Sequence, residues 1–155
     1  MSRILDNVHA SAKRLSENVW LLADFLVAQA PNFAPTSLAG SQILVHGHCH
    51  HKAVFGGPAN EIALLGNTGA SVNLIEAGCC GMAGPFGFEA GKIGVSKTIA
   101  SQGLLPAVEA STPQTTLVAD GFSCREQIAQ LTGRTALHFA EVLASACVQN
   151  SLNPP

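Results

Sequence analysis

The sequence predicts an α/β domain with a parallel-sheet core, flanking helices and an N-terminal amphipathic helix. Three observations predict it. Three short aliphatic runs are each followed by a glycine-bearing turn, helical patterns fill the gaps between them, and an apolar repeat at helical spacing opens the chain.

Residues 2–30 read as helix, with Val8, Leu15, Val19, Leu22 and Leu26 on the repeat. Pro31 and Pro35 end it, and residues 31–40 read as a linker. Strand candidates at 43–45, 71–75 and 115–119 run into Gly47-His48-Cys49-His50, Gly78-Cys79-Cys80-Gly81 and Gly121-Phe122-Ser123-Cys124 respectively. Helical patterns cover 58–68, 88–102, 125–131 and 136–147. The expected organisation is a helix and linker over 1–40, a cysteine-rich domain over 41–148, and a tail over 149–155 that ends in a disordered Ser-Leu-Asn-Pro-Pro.

Composition narrows the function classes. At 155 residues the chain is expected to hold one core, and a hydrophobic fraction of 47% is ample to build it. A net charge of -2 with no basic cluster leaves no electrostatic footprint for nucleic acid. The longest apolar stretch, 19–30, is too short to span a bilayer and carries Asp24. Arg3, Lys13 and Arg14 before it and Ala28-Gln29-Ala30 after it imitate a signal peptide, but an amphipathic helix accounts for it better. The five cysteines are odd in number and cluster with histidines, which favours metal or redox use in a reducing cytoplasm.

The adjacent pair Cys79-Cys80 points to chemistry. Neighbouring cysteines are poorly placed to bridge each other, because a disulfide spans more than the 3.8 Å between successive Cα atoms. Two thiolates from one tight turn are well placed to hold a soft metal or an iron–sulfur cluster. Cys49, Cys79, Cys80 and Cys124 all fall just beyond the carboxyl end of a predicted strand. In an open parallel sheet those ends share one edge, where ligands bind, so cysteines distant in sequence meet there. Each loop also leads towards a helix N-terminus, whose partial charge favours thiolate.

Each feature also has a plainer reading. Cys79 and Cys80 can be buried, inert residues of a glycine-rich turn, although Gly78, Gly81, Gly84 and Gly87 recur as a ligand-approaching loop would. The loop lacks phosphate-binding spacing. Among His46, His48, Cys49, His50 and His51, strand alternation puts His46, His48 and His50 on one side and Cys49 and His51 on the other. Imidazole with thiolate suits zinc or iron; Cys49 is the favoured ligand, with His48 and His50 behind it as metal-binding candidates. Arg125 is expected to hold a thiolate or carboxylate, and Ser123 to cap a helix that starts at Cys124. His138, near Glu141, is expected to cap, pair or line the site, and Cys147 to stand apart from it.

The order Cys49, long spacer, Cys79-Cys80-Gly81, long spacer, Cys124 resembles the cysteine-rich CCG domain found in heterodisulfide reductase and in the iron–sulfur subunit of glycolate oxidase. The wording His46-Gly47-His48-Cys49-His50, Gly78 to Gly87 and Asp120-Gly121-Phe122-Ser123-Cys124-Arg125 is most similar to the C-terminal part of FAD-linked 2-hydroxy-acid oxidases of the D-2-hydroxyglutarate or D-lactate dehydrogenase kind. The resemblance covers about residues 41–146. It implies an iron–sulfur cluster or zinc on Cys49, Cys79, Cys80 and Cys124, with FAD only on a partner domain and a ferredoxin-type partner beside it. The family pattern ends in Cys-x-x-Cys, whereas Gly121 stands at the first of those positions here. A full non-cubane cluster uses more cysteines than these four. The chain also has no ferredoxin-type cysteine run and no FAD-binding domain, so it resembles one domain of a larger enzyme.

The leading expectation is a metal- or cluster-binding electron-transfer domain, with no catalytic residue of its own. The alternative is a non-redox interaction module that keeps the fold without a complete cluster site. Thiol catalysis by Cys49 or Cys79 with a histidine base ranks third, because catalytic-cysteine signatures are absent.

Overall fold

The computed structural model describes residues 10–35 and 37–152. The chain divides into two compact units between Phe33 and Ala34.

In the first unit, α1 (Ala10–Ser16) and α2 (Leu22–Gln29) replace the single helix expected over 2–30; positions 2–9 of that helix lie outside the described residues. The break has a local cause. Asn18 Nδ2 donates to the Arg14 carbonyl, the acceptor its own N–H would use in a continuing helix, and that N–H turns to the Leu15 carbonyl instead. Of the expected apolar stripe, Leu15, Val19 and Leu22 are exposed.

The second unit holds four parallel strands: β1 (Gln42–Val45), β2 (Ser71–Leu74), β3 (Thr116–Val118) and β4 (Ala136–Leu137). Their spatial order is β2-β1-β3-β4, with Ile43 opposite both Val72 and Thr116, and Leu117 opposite Ala136. The order reverses between β1 and β3. The chain leaves β1 for one side to make β2, then returns past it to make β3. At such a reversal the two following loops part and leave a crevice at the carboxyl edge.

Helices connect the strands: α3 (Cys49–Phe55) and α4 (Ala59–Gly66) after β1, α5 (Ile93–Ser101) and α6 (Leu104–Ala110) after β2, α7 (Phe122–Thr132) after β3, and α8 (Phe139–Leu152) after β4. Their buried positions follow helical spacing. Cys124, Gln127 and Ile128 face inward on α7, and Phe139, Val142, Leu143 and Ala146 on α8. Ile75, Met82, Leu104, Val108, Leu117 and Ile128 form the central cluster, and Cys80 and Cys124 are packed into it. Each such large side chain contributes roughly 1.5–3 kcal/mol on burial.

Three elements depart from the sequence reading. The pattern over 136–147 predicts one helix, but Ala136 and Leu137 pair with β3 first; a two-residue strand carries too little alternation to stand out. The sequence reading places no helix at 104–110, yet α6 forms there, because proline is tolerated in a first turn and Leu104 and Val108 bury on one face. Of residues 88–102, expected as one helix, α5 takes only Ile93–Ser101, and Phe88 closes a 3-10 turn that starts at Phe86. The expected tail is helical through Leu152, and positions 153–155 lie outside the described residues. No helix among the described residues is long and apolar enough to cross a membrane.

Candidate functional site

The loops after β1, β2 and β3 bring four cysteines together. Cys49 opens α3 and is half-buried; Cys79 is half-buried in the loop after β2; Cys80 and Cys124 are buried. Each of the four acts electrostatically on at least one other, and Cys124 feels all three partners. Cys147 is exposed on α8.

The thiols differ in protonation. The Cys124 thiol beside it, with the backbone N–H groups of Met82 and Ala83, draws the Cys80 pKa down to about 6 against the opposing effect of burial. The thiolate form of Cys80 is thereby favoured. Cys124 is pushed up because its proton is shared with Cys80 and because it is buried, and Cys79 is pushed up by burial. The sequence reading has a helix N-terminus favouring thiolate at every loop. Cys79 and Cys80 instead lie in a loop whose next element is the 3-10 turn at Phe86, and its own backbone N–H groups do that work. Gly81 N–H also donates to Cys79 Sγ over 3.3 Å.

Backbone conformation and one side chain hold this loop. Gly81 has φ +93°, and a Cβ there would stand 2.1 Å from the Ser96 carbonyl oxygen, so only glycine lets the loop lie against α5. Ala83 also takes a positive φ of 43°, which costs a non-glycine residue about 1 kcal/mol. Gln127 Nε2 donates to Cys80 O at 2.9 Å and to Ser96 Oγ at 3.0 Å. Lys52 Nζ donates to Ala77 O at 2.6 Å, joining α3 to the approach of the same loop. Sequence reasoning anticipates neither tie, although Gln127 lies one helical turn beyond Cys124, on its face.

The histidines do not alternate as on a strand, because β1 stops at Val45 and α3 starts at Cys49. His46 is 2% exposed, and neither of its ring nitrogens has a hydrogen-bond partner among the described residues. Burial, then Lys52 and His48, lower its pKa to about 4, so the ring is neutral. His48 is half-buried just before α3; its pKa is lowered by burial and then by His50 and His51. His50 is exposed, its ring centroid 6.4 Å from that of His48. His51 faces Glu61 at 3.5 Å on α4.

At β3, Gly121 rather than Ser123 is the N-cap of α7, because the helix begins one residue before Ser123. Arg125 holds neither thiolate nor carboxylate. Its guanidinium donates to the carbonyls of Ala119 at 2.9 Å and Asp120 at 2.8 Å, fixing the turn that delivers Cys124. His138 caps α8: its N–H donates to Glu141 Oε2 and its Nδ1 accepts from Ala140 N–H, a reciprocal capping box. Asp120 accepts from Phe139 N–H at 2.8 Å, which anchors α8 to the β3 turn.

Among the described residues, no three His, Cys, Asp or Glu side chains already close round one ion-sized position. The arrangement offers instead four mutually interacting thiols, half-buried at Cys49 and Cys79 and buried at Cys80 and Cys124.

No family model matches the chain, and no solved structure matches it. Among curated proteins it is similar to D-2-hydroxyglutarate dehydrogenase of Escherichia coli strain K12, 30% identical over 127 residues, or 81% of this chain. The enzymes of that name from Pantoea ananatis and Pseudomonas putida are 29% and 30% identical over 127 and 132 residues, 81% and 84% of the chain. The chain is thus similar to a segment of these oxidoreductases, a segment that makes up 12% of each relative's length.

Proposed function

We propose that residues 41–148 are a CCG-type electron-transfer domain of a FAD-linked 2-hydroxy-acid oxidoreductase system, working in the cytoplasm. In this reading Cys49, Cys79, Cys80 and Cys124 bind an iron–sulfur cluster or zinc, His48 and His50 tune the site, and FAD and a ferredoxin-type centre belong to a partner domain or subunit. The observation that carries it is the meeting of four cysteines from three loops at the carboxyl edge where the strand order reverses.

The donor set fits such a group. The Cys80 pKa is drawn down towards the thiolate, and the unpartnered nitrogens of His46 leave buried polar capacity beside the site. A single tetrahedral ion needs its ligands gathered round one point, whereas in a cluster each iron takes its own thiolate, so donors that do not already close round one ion-sized position suit the cluster better. When bound, such a cluster stores and releases single electrons. The chain's residues hold it: Cys80 and Cys124 from the dry core, Cys49 and Cys79 from the rim, with Gln127 and Arg125 fixing the two loops. Similarity to D-2-hydroxyglutarate dehydrogenases supports a hydroxy acid as the electron source. Protein purified without oxygen is expected to be brown or to carry stoichiometric iron or zinc. Colourless, metal-free protein after anaerobic reconstitution overturns the ligand assignment.

Gly121, standing where the resembled pattern carries a cysteine, favours a second reading, a docking module without redox function. Replacing Cys79 and Cys80 with serine separates the two. Unchanged partner turnover with normal association selects the module.

A further inference from the structure

The loops that part at the strand-order reversal touch again through Gly121. A Cβ built on this residue would stand 2.4 Å from His48 Cδ2, 3.1 Å from His48 Nε2 and 3.0 Å from Cys124 Sγ. Bonded geometry does not require glycine there, since its φ of -68° and ψ of 124° are open to any residue. Space requires it. The imidazole of His48 occupies the volume that a side chain at 121 would take, and its Nε2 edge faces the same point as the buried sulfur of Cys124.

Of the other histidines of the second unit, His51 is engaged with Glu61 and His138 with Asp120 and Ala140, while His46 is buried in the core, 2% exposed. No hydrogen bond engages either ring nitrogen of His48 among the described residues. His50 is exposed and does not share the cradle.

We propose that His48 binds, through Nε2, the same group as the four cysteines, and that Gly121 is the residue that admits it. The proposal rests on the reading that these cysteines hold a metal or cluster, and it makes the donor set four thiolates and one imidazole. An imidazole carries one negative charge fewer than a thiolate, so the bound group is easier to reduce than one with a fifth thiolate in its place.

The full chain, purified without oxygen, is loaded with ferrous iron and sulfide or with zinc. Directly bound nitrogen is read by pulsed EPR of the reduced iron protein or by X-ray absorption at the zinc edge. The wild-type chain is expected to show one bound imidazole nitrogen, and His50→Ala to keep it. His48→Ala is expected to retain sulfur ligation and lose the nitrogen signal. Gly121→Ala, whose added carbon displaces the ring, should lose it likewise, and it serves as the test if His48→Ala does not fold. Sulfur-only ligation in the wild type, or a nitrogen signal that survives His48→Ala, overturns the proposal and leaves the four-cysteine reading standing. Failure to retain either iron or zinc overturns both.

Discussion

Gln127 reaches from α7 to the carbonyl oxygen of Cys80, 2.9 Å away, and joins two of the cysteine-bearing segments with one side chain. The amide is 3% exposed, so nothing from solvent replaces it when it is removed. Gln127→Leu leaves Cys80 O and Ser96 without their donor and is expected to cost on the order of 2 kcal/mol. Urea unfolding measures that loss. Bound metal should also pass to a chelator faster, and an unchanged unfolding midpoint would show that the bond is not holding the loop.

Gly81 and Gly94 make a contrasting pair. Gly81→Ala combines a positive φ with a carbon 2.1 Å from the Ser96 carbonyl oxygen, and a loss of roughly 3 kcal/mol or more is expected. Gly94 lies in α5 with nothing within 4 Å of a built Cβ. Gly94→Ala is therefore expected to stabilise the chain by about 0.5–1 kcal/mol. Thermal unfolding of the two variants should move in opposite directions.

His46 gives the metal-free chain a pH dependence. Its ring is held at about 4 in the folded state, against 6.5 for a free histidine, so between those values the unfolded chain binds a proton that the folded chain refuses. Stability is then full above about pH 6.5 and falls as the pH drops towards 4, by roughly 3 kcal/mol in all. His46→Leu removes both unpartnered nitrogens. This variant should be at least as stable at pH 7 and should flatten the dependence; a slope that survives the substitution would assign it to another group.

Thiol accessibility gives a fourth expectation. With the metal absent, iodoacetamide should modify exposed Cys147 first and half-buried Cys49 and Cys79 next. Cys80 and Cys124, 3% and 0% exposed, should wait for unfolding, because a thiolate without access is not attacked. Peptide mass mapping over time reads the order. Early modification of Cys80 would mean that the loop opens readily.

Much of this was legible along the chain. The runs Ile43-Leu44-Val45 and Thr116-Leu117-Val118 declare strands by composition, and each cysteine loop follows a strand directly, so their common edge follows from parallel pairing alone. What escaped was whatever depended on distant partners. Ala136 and Leu137 are strand only because β3 offers them a ladder, and Arg125 turns to backbone carbonyls because the β3 turn presents two of them. Cys124 keeps its proton despite a helix N-terminus because Cys80 sits beside it.

The sequence by itself determined an α/β chain with Cys49, Cys79, Cys80 and Cys124 at the ends of its strands, since alternation, apolar runs and glycine turns are local and act through neighbouring residues. The tertiary structure alone decided that β1 and β3 lie side by side, that His48 fills the space left by Gly121, and that the Cys124 thiol lies where it draws the Cys80 pKa down. Those outcomes depend on strand order and on burial. Both arise from contacts between segments dozens of residues apart, which no local pattern encodes.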